Sequence, residues 1–147
     1  DKVVIALPSS EVANATSFAE LRNARWGVAV GTTDFDYVTN ILGIDNAAVY
    51  DDQAGVFQAL QGGQIDATVV TLPTALYATA VQVPEAKITA LLPKDPRDEG
   101  LGLLFESGNP IVPWINEGLA ALKADGTIDE LAAKYLIADS NIPVISE

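Results

Sequence analysis

The 147-residue sequence contains no cysteine and no histidine. Zinc sites built on those residues, a Ser-His-Asp triad and a Cys-His pair are therefore excluded. Any chemistry must rest on carboxylates, hydroxyls, lysine or tyrosine. Basic residues are scarce, eight against twenty acidic ones, for a net charge of −12. Such a surface repels nucleic-acid phosphates and anionic membranes, so neither is an expected partner. Solubility accounts for the acidity by itself. No run of 18 or more apolar residues reads as a membrane span, and no basic, apolar leader opens the sequence. There is no internal repeat and no low-complexity tract. Phosphate-binding signatures are missing too: neither G-x-x-x-x-G-K-[ST] nor a G-x-G-x-x-G after a strand occurs.

What is present is a 49% hydrophobic chain, enough for a real core in one or two small units. Short apolar runs alternate with amphipathic segments, the pattern of a mostly parallel α/β sheet with helices on its faces. Strands are predicted at Val3–Leu7, Trp26–Val30, Ala47–Tyr50, Ala67–Val70, Ile88–Leu92 and Gly100–Phe105. Between them, Ser17 stands three residues before Glu20, a capping-box spacing that opens a short helix. Asp34–Leu42 sets Tyr37, Val38, Ile41 and Leu42 on one helical face, and Gln53–Gln61 does so with Val56, Phe57 and Leu60. Pro73 suits the first turn of a third helix. The last third reads as two helices. Ile111, Ile115, Leu119 and Leu122 form one apolar stripe, Gly126 is a stop, and Thr127 with Glu130 has the spacing of a second capping box.

Ligands in parallel sheets collect where strands end and helices begin, because the free amides of a helix start attract anions. Two such points stand out. At Gly31, Thr32 and Thr33 a glycine lets a ligand approach the backbone, and two hydroxyls lie beside helix-start amides, which suits a carboxylate. A threonine there is also an ordinary N-cap. The second point is Thr71, Leu72 and Pro73. Asp34 with Asp36, or Asp51 with Asp52, could form a hard-metal pair, but aspartate in a first turn usually just complements the helix dipole, and no metal is expected. Asp34 is the nearest acid or base to the first point, and its expected work is capping rather than catalysis.

Four segments, in order, resemble the bacterial extracellular solute-binding proteins of family 3, the amino-acid receptors of ABC importers. They are SFAELRNARWGVAVGTTDFDYV, VYDDQAGVFQALQGGQIDATVVTLPTALY, EGLGLLFESGNP and VPWINEGLAALKADGTIDELAAKYL. The resemblance implies a periplasmic-binding-protein-like lobe with a mostly parallel sheet, followed by two C-terminal helices. Residues 1–8 would be a first crossover strand, 9–96 the second, ligand-binding lobe, and 97–107 the return crossover. Residues 108–147 would be helices belonging to a first lobe whose remainder is absent, so the chain is expected to be a fragment with an exposed apolar face that drives self-association.

By the same resemblance, Gly31, Thr32 and Thr33 match the lobe-two carboxylate binders. Thr71 matches a position where amino-acid receptors typically place an aspartate for the ligand's ammonium, and Asp34 is the nearest substitute. A threonine cannot offset a desolvated ammonium, so either Asp34 does so or the ligand is not a standard α-amino acid. The implied function is non-catalytic binding of a small polar carboxylate-bearing solute by cleft closure, without cofactor. The implied partner is an importer permease, and the implied location is periplasmic or extracellular, with a lipid anchor as one form of attachment. A cyclohexadienyl dehydratase-like enzyme and a sensory domain of a membrane receptor are the alternatives.

Overall fold

A computed structural model describes residues 1–98, 100–136 and 142–145. Glu99, beside the predicted return strand, and residues 137–141, 146 and 147 of the closing segment lie outside the described residues. The chain forms two units, Asp1–Pro96 with Ala138–Glu147, and Arg97–Ile137.

In the first unit the apolar runs become β1 (Lys2–Ala6), β2 (Gly27–Ala29), β3 (Ala48–Tyr50), β4 (Ala67–Thr71) and β5 (Lys87–Leu91). β1 lies between β4 and β5 and is antiparallel to both. β2 and β3 pair in parallel, and a parallel bridge from Trp26 to Ala67 ties that pair to β4. The mostly parallel sheet expected from the sequence is thus corrected in its middle. β2, β3, β4 and β5 share one direction, and β1 runs against them. Apolar patterning records which faces are buried, and all five residues of β1 are buried, so nothing in its composition betrays its direction. One consequence governs the site: the start of β1, at Lys2, lies at the edge where the other strands end.

The strands alternate between two cores. Val4, Ala6, Val28 and Val69 join Trp26, Tyr37, Val38 and Leu42 on one face. Val3, Ile5, Ala29 and Val70 join Val56, Phe57 and Leu60 on the other. Trp26 is fully buried, with its indole N–H donating to the Leu21 carbonyl at 2.8 Å.

Helix α1 (Phe18–Leu21) is capped as its spacing implies: the Ser17 hydroxyl accepts from the Glu20 amide, and the Glu20 carboxylate takes the Thr16 amide at 2.6 Å. That Thr16 amide, with the Thr16 hydroxyl, holds the Glu20 carboxyl below its usual range. Helix α2 (Thr33–Asp36) widens into a π turn over Tyr37–Ile41, and α4 (Leu72–Tyr77) does likewise over Ala78–Gln82. Helix α3 (Gln53–Gln61) starts at Asp52, whose carboxylate caps the Gly55 amide at 2.8 Å.

The second unit contains α5 (Val112–Ala124) and α6 (Thr127–Tyr135), and no residue of either helix is buried. Two expectations are corrected here. Gly100–Phe105 joins no ladder among the described residues, with Leu101 and Leu104 almost wholly exposed: an apolar run becomes a strand only when its backbone pairs with another. The second capping box does not form either. Gly126, at φ 84°, is itself the cap of α6, so Thr127 lies inside the helix and its amide donates to Asp125 instead.

Candidate functional site

The turn between β2 and α2 begins at Gly31, whose φ of 71° is a left-handed conformation costly for any residue with a Cβ. Nothing lies within 4 Å of where such a Cβ would stand, so the backbone here faces open space. Thr32 follows as the N-cap. Its hydroxyl accepts from the Phe35 amide at 3.1 Å and donates to the Ala29 carbonyl at 2.8 Å, which occupies it fully inside the turn. The amides of Thr33 and Asp34 are first-turn amides without an intrahelical carbonyl, since backbone bonding across the turn starts at Asp36 N–H to Thr32 O. Oriented dipoles of this kind favour an anion.

The residue that sequence reasoning missed is Lys2. Its ammonium donates to Asp34 Oδ1 at 2.6 Å and to Thr33 Oγ1 at 3.0 Å, and it stands 6.0 Å from the centroid of the Tyr37 ring. The ion pair is largely buried, with the side chains of Lys2 and Asp34 only 8% and 15% exposed. A lysine opening an apolar run looks like a solvated strand end. Only the reversed direction of β1 brings it under α2.

Thr33 accepts from Lys2 and so keeps its own O–H to donate elsewhere. Thr71 is the cross-strand partner of Lys2. By the alternation that sends Val69 and Ala67 to the Tyr37 face, Thr71 belongs to that face as well. It opens α4 without capping it by its side chain, and its hydroxyl lies 3.0 Å from that of Thr74. The structure therefore gathers Gly31, Thr32, Thr33, Asp34 and Thr71 at one edge of the sheet, with Lys2 among them. Asp36, of the conjectured metal pairs, takes the Asn40 side-chain amide, and Asp52 caps α3. No group of three or more acidic side chains that could hold a metal occurs among the described residues.

No family model matches the chain. In sequence it is 29% identical over 122 residues to the L-cystine-binding protein TcyJ of Escherichia coli strain K12, an alignment covering 82% of this chain and 44% of that protein. It is 28% identical over 123 residues to ABC transporter arginine-binding protein 1 of the same organism, covering 81% and 50%. The chain thus spans about half the length of these curated relatives. Its fold matches the crystal structure of the ancestral amino acid-binding protein AncCDT-1, described as a precursor of cyclohexadienyl dehydratase, with a TM-score of 0.64 and 24% identity over 92–93% of this chain and 58% of that one. The chain is therefore similar in sequence to bacterial amino-acid-binding proteins, and it shares the fold of an amino-acid-binding protein.

Proposed function

We propose that the chain is the ligand-gripping lobe of a solute receptor that binds a small polar, carboxylate-bearing molecule and presents it to an ABC importer, without catalysis. The observation that carries this reading is the Gly31 turn: open space at Gly31, two first-turn amides and a Thr33 hydroxyl with its O–H uncommitted by Lys2 lie at the edge where four strands end. A carboxylate satisfies all three donors at once. The relatives named for binding cystine and arginine support the solute class, and the naming of one for an ABC transporter supports a location in the periplasm or outside the cell. On this reading residues 1–8 and 97–107 are crossovers, 9–96 the second lobe, and, of 108–147, α5 and α6 are helices of a first lobe, whereas Pro143 and Ile145, bonded to Leu91 of β5, stay with the second. The exposed Leu104, Trp114, Leu131 and Tyr135 then belong to a face that is covered in the whole receptor and self-associates when left bare.

An enzyme of the dehydratase kind is the second reading, favoured by the fold shared with AncCDT-1. It calls for a poised acid or base, and the engagement of Asp34 by Lys2 speaks against it. A thermal-shift panel of amino acids, other carboxylates, sugars and cations, run on the protein its gene encodes, tests the proposal. Stabilisation by carboxylates, lost in Thr33→Ala, is the expected result. Stabilisation by sugars or cations alone would sink it, and turnover of a prephenate-like acid would favour the enzyme.

A further inference from the structure

Lys2 changes what this edge of the sheet can hold. An ammonium has three N–H donors and no acceptor. Two of those of Lys2 are spent on Asp34 and Thr33, in a position 8% exposed. Asp34 is thereby committed. A ligand ammonium could reach only its other oxygen, and two cations would then share one carboxylate in a nearly dry place. The residue facing Lys2 across the ladder, Thr71, is neutral and hydrogen-bonded to Thr74. Directly opposed residues of an antiparallel pair have Cβ atoms about 5 Å apart. A ligand ammonium at Thr71 would therefore add a second positive charge beside a pair in which one carboxylate, Asp34, would have to balance both. The neighbouring acids are occupied as well: Asp36 by Asn40 and Asp52 by the Gly55 amide.

We propose that Lys2 is a specificity-determining residue, and that the site selects carboxylates whose adjacent substituent is a hydrogen-bond acceptor, a 2-oxo or 2-hydroxy acid, over the matching 2-amino acid. The inference rests on the carboxylate-receptor reading of this edge. The carboxylate lies on the amides of Thr33 and Asp34. The oxo or hydroxyl oxygen takes the third N–H of Lys2, with the Thr71 hydroxyl beside it. The protein thus carries its own cation where a binder of amino acids needs an anion.

The test is calorimetry on the protein its gene encodes, with matched series: pyruvate, L-lactate and L-alanine; 2-oxoglutarate, L-2-hydroxyglutarate and L-glutamate; and 2-oxoisocaproate, its 2-hydroxy acid and L-leucine. In any series that binds, the oxo or hydroxy acid is expected to bind at least tenfold more tightly than the amino acid. An amino acid that binds equally well or better overturns this inference and leaves the carboxylate receptor standing. Failure of every series overturns both. Lys2→Met should release Asp34 and shift the preference at least tenfold toward the amino acid, and the shift should vanish in Lys2→Met/Asp34→Asn. A Lys2→Met protein that folds, as judged by the fluorescence of buried Trp26, and keeps the original preference overturns the role of Lys2. If that variant does not fold, the matched series on the unaltered protein still decides.

Discussion

Replacing Asp34 with alanine probes the pair on which the site's charge depends. The Lys2–Asp34 contact is 2.6 Å long, between side chains 8% and 15% exposed. At an effective dielectric constant near 20, charges about 4 Å apart attract by about 4 kcal/mol, and desolvation cancels much of that gain. The pair as a whole is worth little. Its asymmetry is worth more, because losing one partner of a buried pair costs about 3–5 kcal/mol. Lys2 keeps the Thr33 hydroxyl and a narrow path to water, so about 2–3 kcal/mol is expected for Asp34→Ala. Lys2→Met removes the buried charge while keeping the packed stem, and should cost about 1 kcal/mol or less. The double variant should resemble Lys2→Met, giving a coupling of roughly 2 kcal/mol. Urea unfolding followed by tryptophan emission is the assay. Trp26 is buried while Trp114 is 74% exposed when folded, so the signal reports the unit that contains the pair. In heat, the Asp34→Ala loss corresponds to roughly 10–20 °C in Tm for a unit of this size. A cost below about 0.5 kcal/mol would refute the reasoning: Asp34 would then be free to serve a ligand.

Three further outcomes follow from the same geometry. Thr32→Ala removes a cap and a bond to Ala29 and should lower stability by about 1 kcal/mol, whereas Thr33→Ala, which takes from Lys2 its neutral partner and leaves Asp34, should cost less than that and weaken carboxylate binding, a contrast that paired unfolding and titration will read. Gly27→Ala thrusts a methyl group against the side chains of Ile65 and Tyr50 in the core, so a loss of about 1–3 kcal/mol is expected in urea unfolding, and a neutral result would mean that β2 packs less closely than described. Hydrogen bonds from the Arg25 guanidinium hold the Asp66 carboxyl below its ordinary value. Because the folded form gives up its charge at a lower pH than the unfolded form, this stabilisation is complete above the ordinary aspartate range and lost as pH falls through the folded value. Asp66→Asn should flatten that acid limb of the stability profile at a cost of about 1 kcal/mol at neutral pH.

The strand starts were legible because each apolar run is bounded by polar or turn residues, and Ala48–Tyr50 and Lys87–Leu91 lie within a residue of the reading. The turn at Gly31 was equally legible, since a glycine and a threonine between an apolar run and a helical face read as a turn and an N-cap. Two failures have local causes: Thr127 and Glu130 have the right spacing, but Gly126 had already supplied the cap, and Gly100–Phe105 has strand composition without a partner. The π turns in α2 and α4 keep the buried face of a regular helix, so their widening leaves no mark on apolar spacing.

The sequence by itself determined that these 147 residues hold no histidine or cysteine chemistry, where their apolar strands run, and that a glycine-threonine turn joins one of them to a helix at Gly31 and Thr32. These follow from residue identity and near-neighbour spacing, which act over a few residues. The tertiary structure alone decided the direction of β1 and hence the place of Lys2, 32 residues from Asp34 in sequence and 2.6 Å away in space. Strand direction is set by pairing between distant segments, and no local pattern encodes it. That one reversal makes the only acid expected in the site the partner of the protein's own lysine.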